Sequence, residues 1–127
     1  MAYTHPRKLT LAALLLTGST TAALAAGDPA EGKEVFDAEC SVCHAVEAGK
    51  TKVGPSLAGV VGRKSASLEG YAYSDQLKNS GVTWTEAEID SWITNPQQKL
   101  PGSKMTYAGE NHADERAAVI AYLKTLK

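Results

Sequence analysis

Apolar residues recur three and four positions apart in separated stretches of the chain, and nowhere do they alternate long enough to build a sheet. Gly32, Phe36 and Cys40 fall on one helical face, and the residues before them spell a helix start. Asp28 is an N-cap acid, Pro29 opens the first turn, and Glu31 follows at the third position. Thr85-Glu86-Ala87-Glu88 reads as a capping box. Ile89, Trp92 and Ile93 form the apolar face behind it, and Asn95-Pro96 ends that helix. Ser74 is placed to cap a short helix through Lys78, stopped near Gly81. A last helix is predicted from about Ala113 to Leu126, with Val119, Tyr122, Leu123 and Leu126 on one face.

Between these helices the pattern is irregular. Ala48 to Lys52 is polar, Val53-Gly54-Pro55-Ser56-Leu57 is an extended turn, and Gly59, Gly62 and Gly70 mark a long loop region. Another loop runs through Pro101 to Gly109. Loops of this length in a compact domain usually serve function, here by wrapping a cofactor. The predicted class is all-α, with helices at both ends and loops between.

The first 25 residues read differently. Arg7 and Lys8 precede an apolar stretch from Leu9 to Leu16, and Ala23-Leu24-Ala25 is a small-x-small cleavage site. That is the layout of a secretory signal peptide. Gly18, Ser19 and several threonines dilute the stretch, so a cleaved leader is favoured over a membrane anchor. The expected division is a signal peptide over 1–25 and one domain over 26–127. Removing 25 of 127 residues leaves 102, enough for one modest core. The leader takes two basic residues and no acid, so 13 basic against 14 acidic residues become 11 against 14. With no basic excess or stripe, nucleic-acid binding is excluded.

Export sharpens the meaning of the cysteines. The chain has 2, both in Cys40-Ser41-Val42-Cys43-His44. A disulfide between them closes too small a loop to be a useful staple. Thioredoxin-like pairs sit at a helix start after a strand, whereas this motif follows a helix. The remaining reading is the c-type haem attachment signature, in which the two thiols bind haem and His44 ligates iron. A ligating histidine normally donates its other N–H to a fixed acceptor, for which the Pro55 carbonyl is the candidate. His5 leaves with the leader, and His112 falls on the surface near the last helix. Met105 lies in a Pro-Gly loop rather than on an apolar helix face, which favours a second axial ligand over ordinary core filling. A thioether is a soft neutral donor that favours ferrous iron. Arg63, Tyr73, Trp84 and Ser103 are polar groups in or beside the loops, suited to buried propionates.

Taken together, the chain resembles a class I cytochrome c of the mitochondrial and bacterial cytochrome c2 branch. The resemblance runs from Gly27 to Lys124 and rests on the haem motif, on Gly54-Pro55, Gly62-Arg63-Lys64 and Gly70-Tyr71-Ala72-Tyr73, and on Trp84, Asn95-Pro96, Pro101 to Met105 and Ala121-Tyr122-Leu123. It implies a small fold in which the terminal helices cross at Gly32 and Tyr122 while the loops wrap one covalent haem c. Cys40 and Cys43 hold the haem, His44 and Met105 ligate iron, Pro55 accepts from His44, and Arg63, Tyr73, Trp84 and Ser103 surround the propionates. Tyr107 sits at the exposed haem edge, where the family usually has phenylalanine. The function implied is that of a monomeric periplasmic electron carrier, not an enzyme. Its partners would be a quinol–cytochrome c oxidoreductase, a terminal oxidase, or a periplasmic dehydrogenase or reaction centre. Rival readings are a thiol–disulfide oxidoreductase and a haem enzyme or sensor with an open iron site. The chain departs from the family pattern at Trp92, which replaces a tyrosine whose hydroxyl approaches the methionine sulfur. Leu77 replaces an asparagine. The lysine ring of mitochondrial relatives is thinned by Glu34, Glu39, Gln97 and Gln98, leaving Lys52 and Lys104 as a weak positive patch.

Overall fold

The computed structural model describes residues 26–127; the expected leader lies outside them. Helix α1 spans Pro29–Val35, capped by Asp28, whose carboxylate accepts from the Ala30 N–H at 2.8 Å. It runs directly into a π-helical turn over Phe36–Cys40, in which the Ser41 N–H reaches back five residues to the Phe36 carbonyl at 2.9 Å. A regular helix was expected here. The wider turn places an additional residue just before the first cysteine, and such turns recur at functional sites.

Helix α2 spans Asp75–Asn79 and α3 spans Glu86–Thr94. Both caps are as expected, with Ser74 accepting from the Leu77 N–H and Thr85 from the Glu88 N–H, each at 3.2 Å. The capping box is only half formed, because the Glu88 carboxylate turns away to pair with Lys99 Nζ at 2.7 Å. Helix α4, Pro96–Lys99, falls where a loop was expected. Asn95 closes α3 in an extended conformation, and the same residue caps α4 by accepting from the Gln98 N–H at 2.9 Å. Helix α5 spans Ala113–Leu123, three residues shorter than predicted, though Leu126 still packs on the core. Among the described residues there is no strand, only an isolated bridge between Lys64 and Thr83. The long loop is pinned there by the Gly62 N–H to the Trp84 carbonyl and the Trp84 N–H to the Arg63 carbonyl, both 2.8 Å.

The core sits where α1 and α5 cross. A Cβ on Gly32 would lie 1.9 Å from the Ala118 carbonyl oxygen, so the two backbones touch. Gly27 is as close to Ala117. The rings of Phe36 and Tyr122 meet beside this contact at 5.4 Å. Phe36, Val60, Ile89, Val119, Ile120 and Leu123 bury one continuous apolar cluster. Burial of such side chains contributes roughly 1.5–3 kcal/mol each. Arg116, on α5, ties this layer to α3 through Asp90 at 2.8 Å. Among the described residues, no helix is long and apolar enough to cross a membrane.

Candidate cofactor site

Beneath the crossing lies a cavity of about 280 Å³, walled by α3, α5 and the loops. Cys40, Cys43, His44, Pro55, Arg63, Tyr73, Trp84, Ser103 and Met105 all line it. The nine residues singled out from the sequence therefore converge on one space.

Local backbone geometry sets the motif. The His44 N–H returns to the Cys40 carbonyl at 2.9 Å, and the Gly54 N–H bonds the Cys43 carbonyl at 2.8 Å. This brings the 53–57 turn against the imidazole, where Nδ1 lies 2.8 Å from the Pro55 carbonyl. A carbonyl can only accept, so Nδ1 carries the proton and Nε2 keeps its lone pair. Burial pushes the His44 pKa down, outweighing the Pro55 contact, and so favours the neutral ring. Gly54 was not singled out as a site residue. A Cβ there would lie 2.4 Å from the imidazole Cε1, so only glycine allows the turn to lie flat on the ring.

In the same cavity wall, Met105 is held by neighbours rather than by a helix. Its sulfur accepts from the Trp92 indole N–H at 3.0 Å. The replacement of tyrosine at 92 therefore preserves a donor to sulfur, and an indole is a donor only. Gln97 was read as an exposed position that thins a lysine ring. It is exposed, and its amide also donates to the Ser103 carbonyl at 2.9 Å, the Ser103 hydroxyl at 3.2 Å and the Met105 carbonyl at 2.7 Å. Sequence type alone hides this role, since a solvent-exposed glutamine and a loop clamp look alike. His112 caps α5 from the surface, its Nδ1 2.8 Å from the Glu110 carboxylate, and it does not line the cavity.

Among the described residues, three side-chain donors in the cavity wall lack a protein acceptor, and a fourth residue there, Arg63, lacks a carboxylate partner. Arg63 uses two N–H groups on the Ala58 and Ser56 carbonyls, at 2.7 and 2.9 Å, and has no carboxylate partner among the described residues. The Tyr73 hydroxyl, the Trp84 indole N–H and the Ser103 hydroxyl proton donate to no protein group, although Tyr73 and Ser103 are buried. The unpaired Tyr73 hydroxyl and Trp84 indole N–H are open to the cavity rather than sealed in the core. An anion with several oxygens fits this set. The Cys40 thiol is poorly placed for redox exchange. Burial, with Glu39 and Cys43 adding, pushes the Cys40 thiol up to about 11, whereas reactive thiols are shifted down.

Residues 29–127 match the family described as cytochrome c. The chain belongs to the cytochrome c family. Cytochrome c-554 of Methylosinus trichosporium is 49% identical over 117 residues, covering 91% of this chain and 88% of the relative. Cytochrome c2 of Blastochloris viridis is 46% identical over 119 residues, covering 93% and 92%. The solved structure of cytochrome cH from Methylobacterium extorquens superposes with a TM-score of 0.73 at 45% identity, covering 78% of this chain and 99% of that one. The fold is thus that of a small class I cytochrome c, and the protein is an electron-transfer protein rather than an enzyme. Its cofactor is one covalently bound haem c, and the paired thiols, the imidazole with a free Nε2 and the unpartnered donors fit that group.

Tyr107 also borders the cavity. Its hydroxyl donates to the Glu39 carboxylate across the mouth. Burial first, and then Glu39, hold the phenol well above its ordinary range, so it stays protonated. Lys52 and Lys104, the expected positive patch, reach the Ser41 and Ala72 carbonyls respectively.

Proposed function

We propose that this cytochrome c is an exported periplasmic carrier that passes single electrons between redox complexes, with Cys40 and Cys43 attaching the haem and His44 and Met105 as its axial ligands. The observation that carries this reading is that a neutral imidazole fixed by Pro55 and a thioether fixed by Trp92 and Gln97 face one cavity that also holds both thiols. The haem supplies the one-electron couple. The chain does the rest. The Pro55 contact sets the imidazole tautomer, and the indole N–H orients the sulfur. Arg63, Tyr73, Trp84 and Ser103 receive the propionates. Filling the second axial position with a protein sulfur keeps exogenous ligands away, which suits a carrier rather than a catalyst.

Donor and acceptor are drawn from quinol–cytochrome c oxidoreductase, terminal oxidase, and periplasmic dehydrogenase or reaction centre. The leader over 1–25 directs export, and the mature protein acts as a monomer. Mass spectrometry of the mature protein is expected to show one haem, no free thiol and an N-terminus at or near Ala26. The oxidised protein should carry the methionine-to-ferric-iron band at the red end of the visible spectrum. A colourless protein with a Cys40–Cys43 disulfide would overturn the proposal.

Docking should depend only weakly on charge. Surface charges are screened over ~8 Å at physiological salt, and acidic or neutral residues interrupt the lysines here. The bimolecular rate with a native redox partner is expected to fall gently across a salt series, and Lys104→Glu should change it modestly. A steep fall with a large Lys104→Glu loss would assign docking to the remaining lysines.

A further inference from the structure

The 101–109 loop that carries Met105 is anchored unequally on its two sides. Upstream, the Ser103 N–H bonds the Leu100 carbonyl at 3.2 Å, Gln97 holds Ser103 and Met105, and Lys104 reaches Ala72. Downstream, no backbone amide from Thr106 to Gly109 has a backbone partner, and backbone pairing resumes only at Glu110, whose N–H bonds the Ile93 carbonyl at 2.8 Å. Over those four residues one hydrogen bond ties the loop to the body, from the Tyr107 hydroxyl to Glu39. Glu39 lies in the π-helical turn and immediately precedes Cys40. The bond therefore joins the cysteine side of the cavity to the methionine side across its mouth.

We infer that Glu39 and Tyr107 form a clasp that sets how often the Met105 loop swings open, making both of them positioning residues for the second axial ligand. The inference rests on the reading of Met105 as that ligand. Its physical basis is the small number of restraints. A segment with exposed, unpaired backbone opens at low free energy, and each remaining contact then carries a large share of the closing force. A hydrogen bond to an ionised acceptor is stronger than a neutral one, so loss of the phenol hydroxyl should be felt even at this partly exposed site. Phenylalanine at 107 keeps the ring that covers the mouth and removes the clasp alone.

The test compares wild type with Tyr107→Phe, Glu39→Ala and the double variant, all haem-loaded. The first measurement is the limiting rate of imidazole entry into the ferric protein, which requires Met105 to move away. The second is amide hydrogen exchange over residues 106–109, which does not depend on what ligates iron. Both are expected to rise about tenfold in each single variant, corresponding to ~1.4 kcal/mol. The double variant should exceed neither single by much, because both remove the same bond. Exchange in α5 should stay unchanged. Faster loop exchange without faster imidazole entry would leave the clasp standing and remove Met105 as the ligand. The clasp is overturned if loop exchange is unmoved, if the two substitutions act additively, or if α5 exchange rises equally. Wild-type protein showing the methionine–iron band would confirm that ligation is intact in that case.

Discussion

Met105→Ala should lower the reduction potential by on the order of 100 mV, a modest part of the ~0.8 V range that axial ligands span. The cause is loss of the neutral soft donor that favours the reduced state. The red-end visible band should vanish, and the protein should gain reactivity towards peroxide. Trp92→Phe provides a graded comparison. It keeps an aromatic ring against Trp84, whose ring centroid lies 5.2 Å away, and removes only the N–H that the sulfur accepts. With that bond gone the sulfur donates more freely to ferric iron, so the potential should fall by a smaller amount while the band persists. Spectroelectrochemical titration of both variants checks the order. A Met105→Ala protein with unchanged spectrum and potential would mean that another group ligates iron, and a wild type already open to small ligands would favour the haem-enzyme reading.

Gly32→Ala should have the largest effect on stability. Its Cβ would be placed 1.9 Å from the Ala118 carbonyl oxygen, and backbone on both sides leaves no flexible side chain to yield. Overpacking in a well-packed core usually costs about 1–3 kcal/mol, and a clash between two helix backbones belongs at or above the top of that range. For a domain of this size each kcal/mol shifts the melting temperature by roughly 4–8 °C. A fall of the order of 10–20 °C is therefore expected in thermal unfolding of the haem-loaded protein. An unchanged midpoint would show that α1 and α5 can separate without loosening Phe36 and Tyr122.

What could be read from the chain beforehand was local. Asp28, Ser74 and Thr85 were legible as caps because each acts on an amide two or three residues away. The attachment motif was legible because its chemistry is carried by five adjacent residues. Asn95-Pro96 was read correctly as the end of α3, but its second role was missed. A proline after an extended residue stops one helix, but asparagine before proline is also an N-cap and first-turn signal, and here the pair does both. The π-helical turn left no signature, since its additional residue answers to the demands of the α1–α5 crossing and of Cys40 together. Gln97 and Tyr107 were placed at the surface by residue type and by family position. Their bonds to Met105 and Glu39 depend on a loop path that only the folded chain defines.

The crossing of α1 and α5 also constrains the order in which the protein can be made. Val119 and Leu123, on the last helix, form part of the cavity wall, and Cys40 lies in the turn that leaves the first. Until the C-terminal helix arrives, the cavity has no closed side and the thiols belong to an open chain. Once Gly32 meets Ala118, the same thiols face a walled cavity open only at its mouth. Contacts between residues so distant in sequence are slow to form, because the loop entropy must be lost before they stabilise anything. Thioether formation therefore fits best before the ends join, so that the nascent chain closes around a cofactor it already carries.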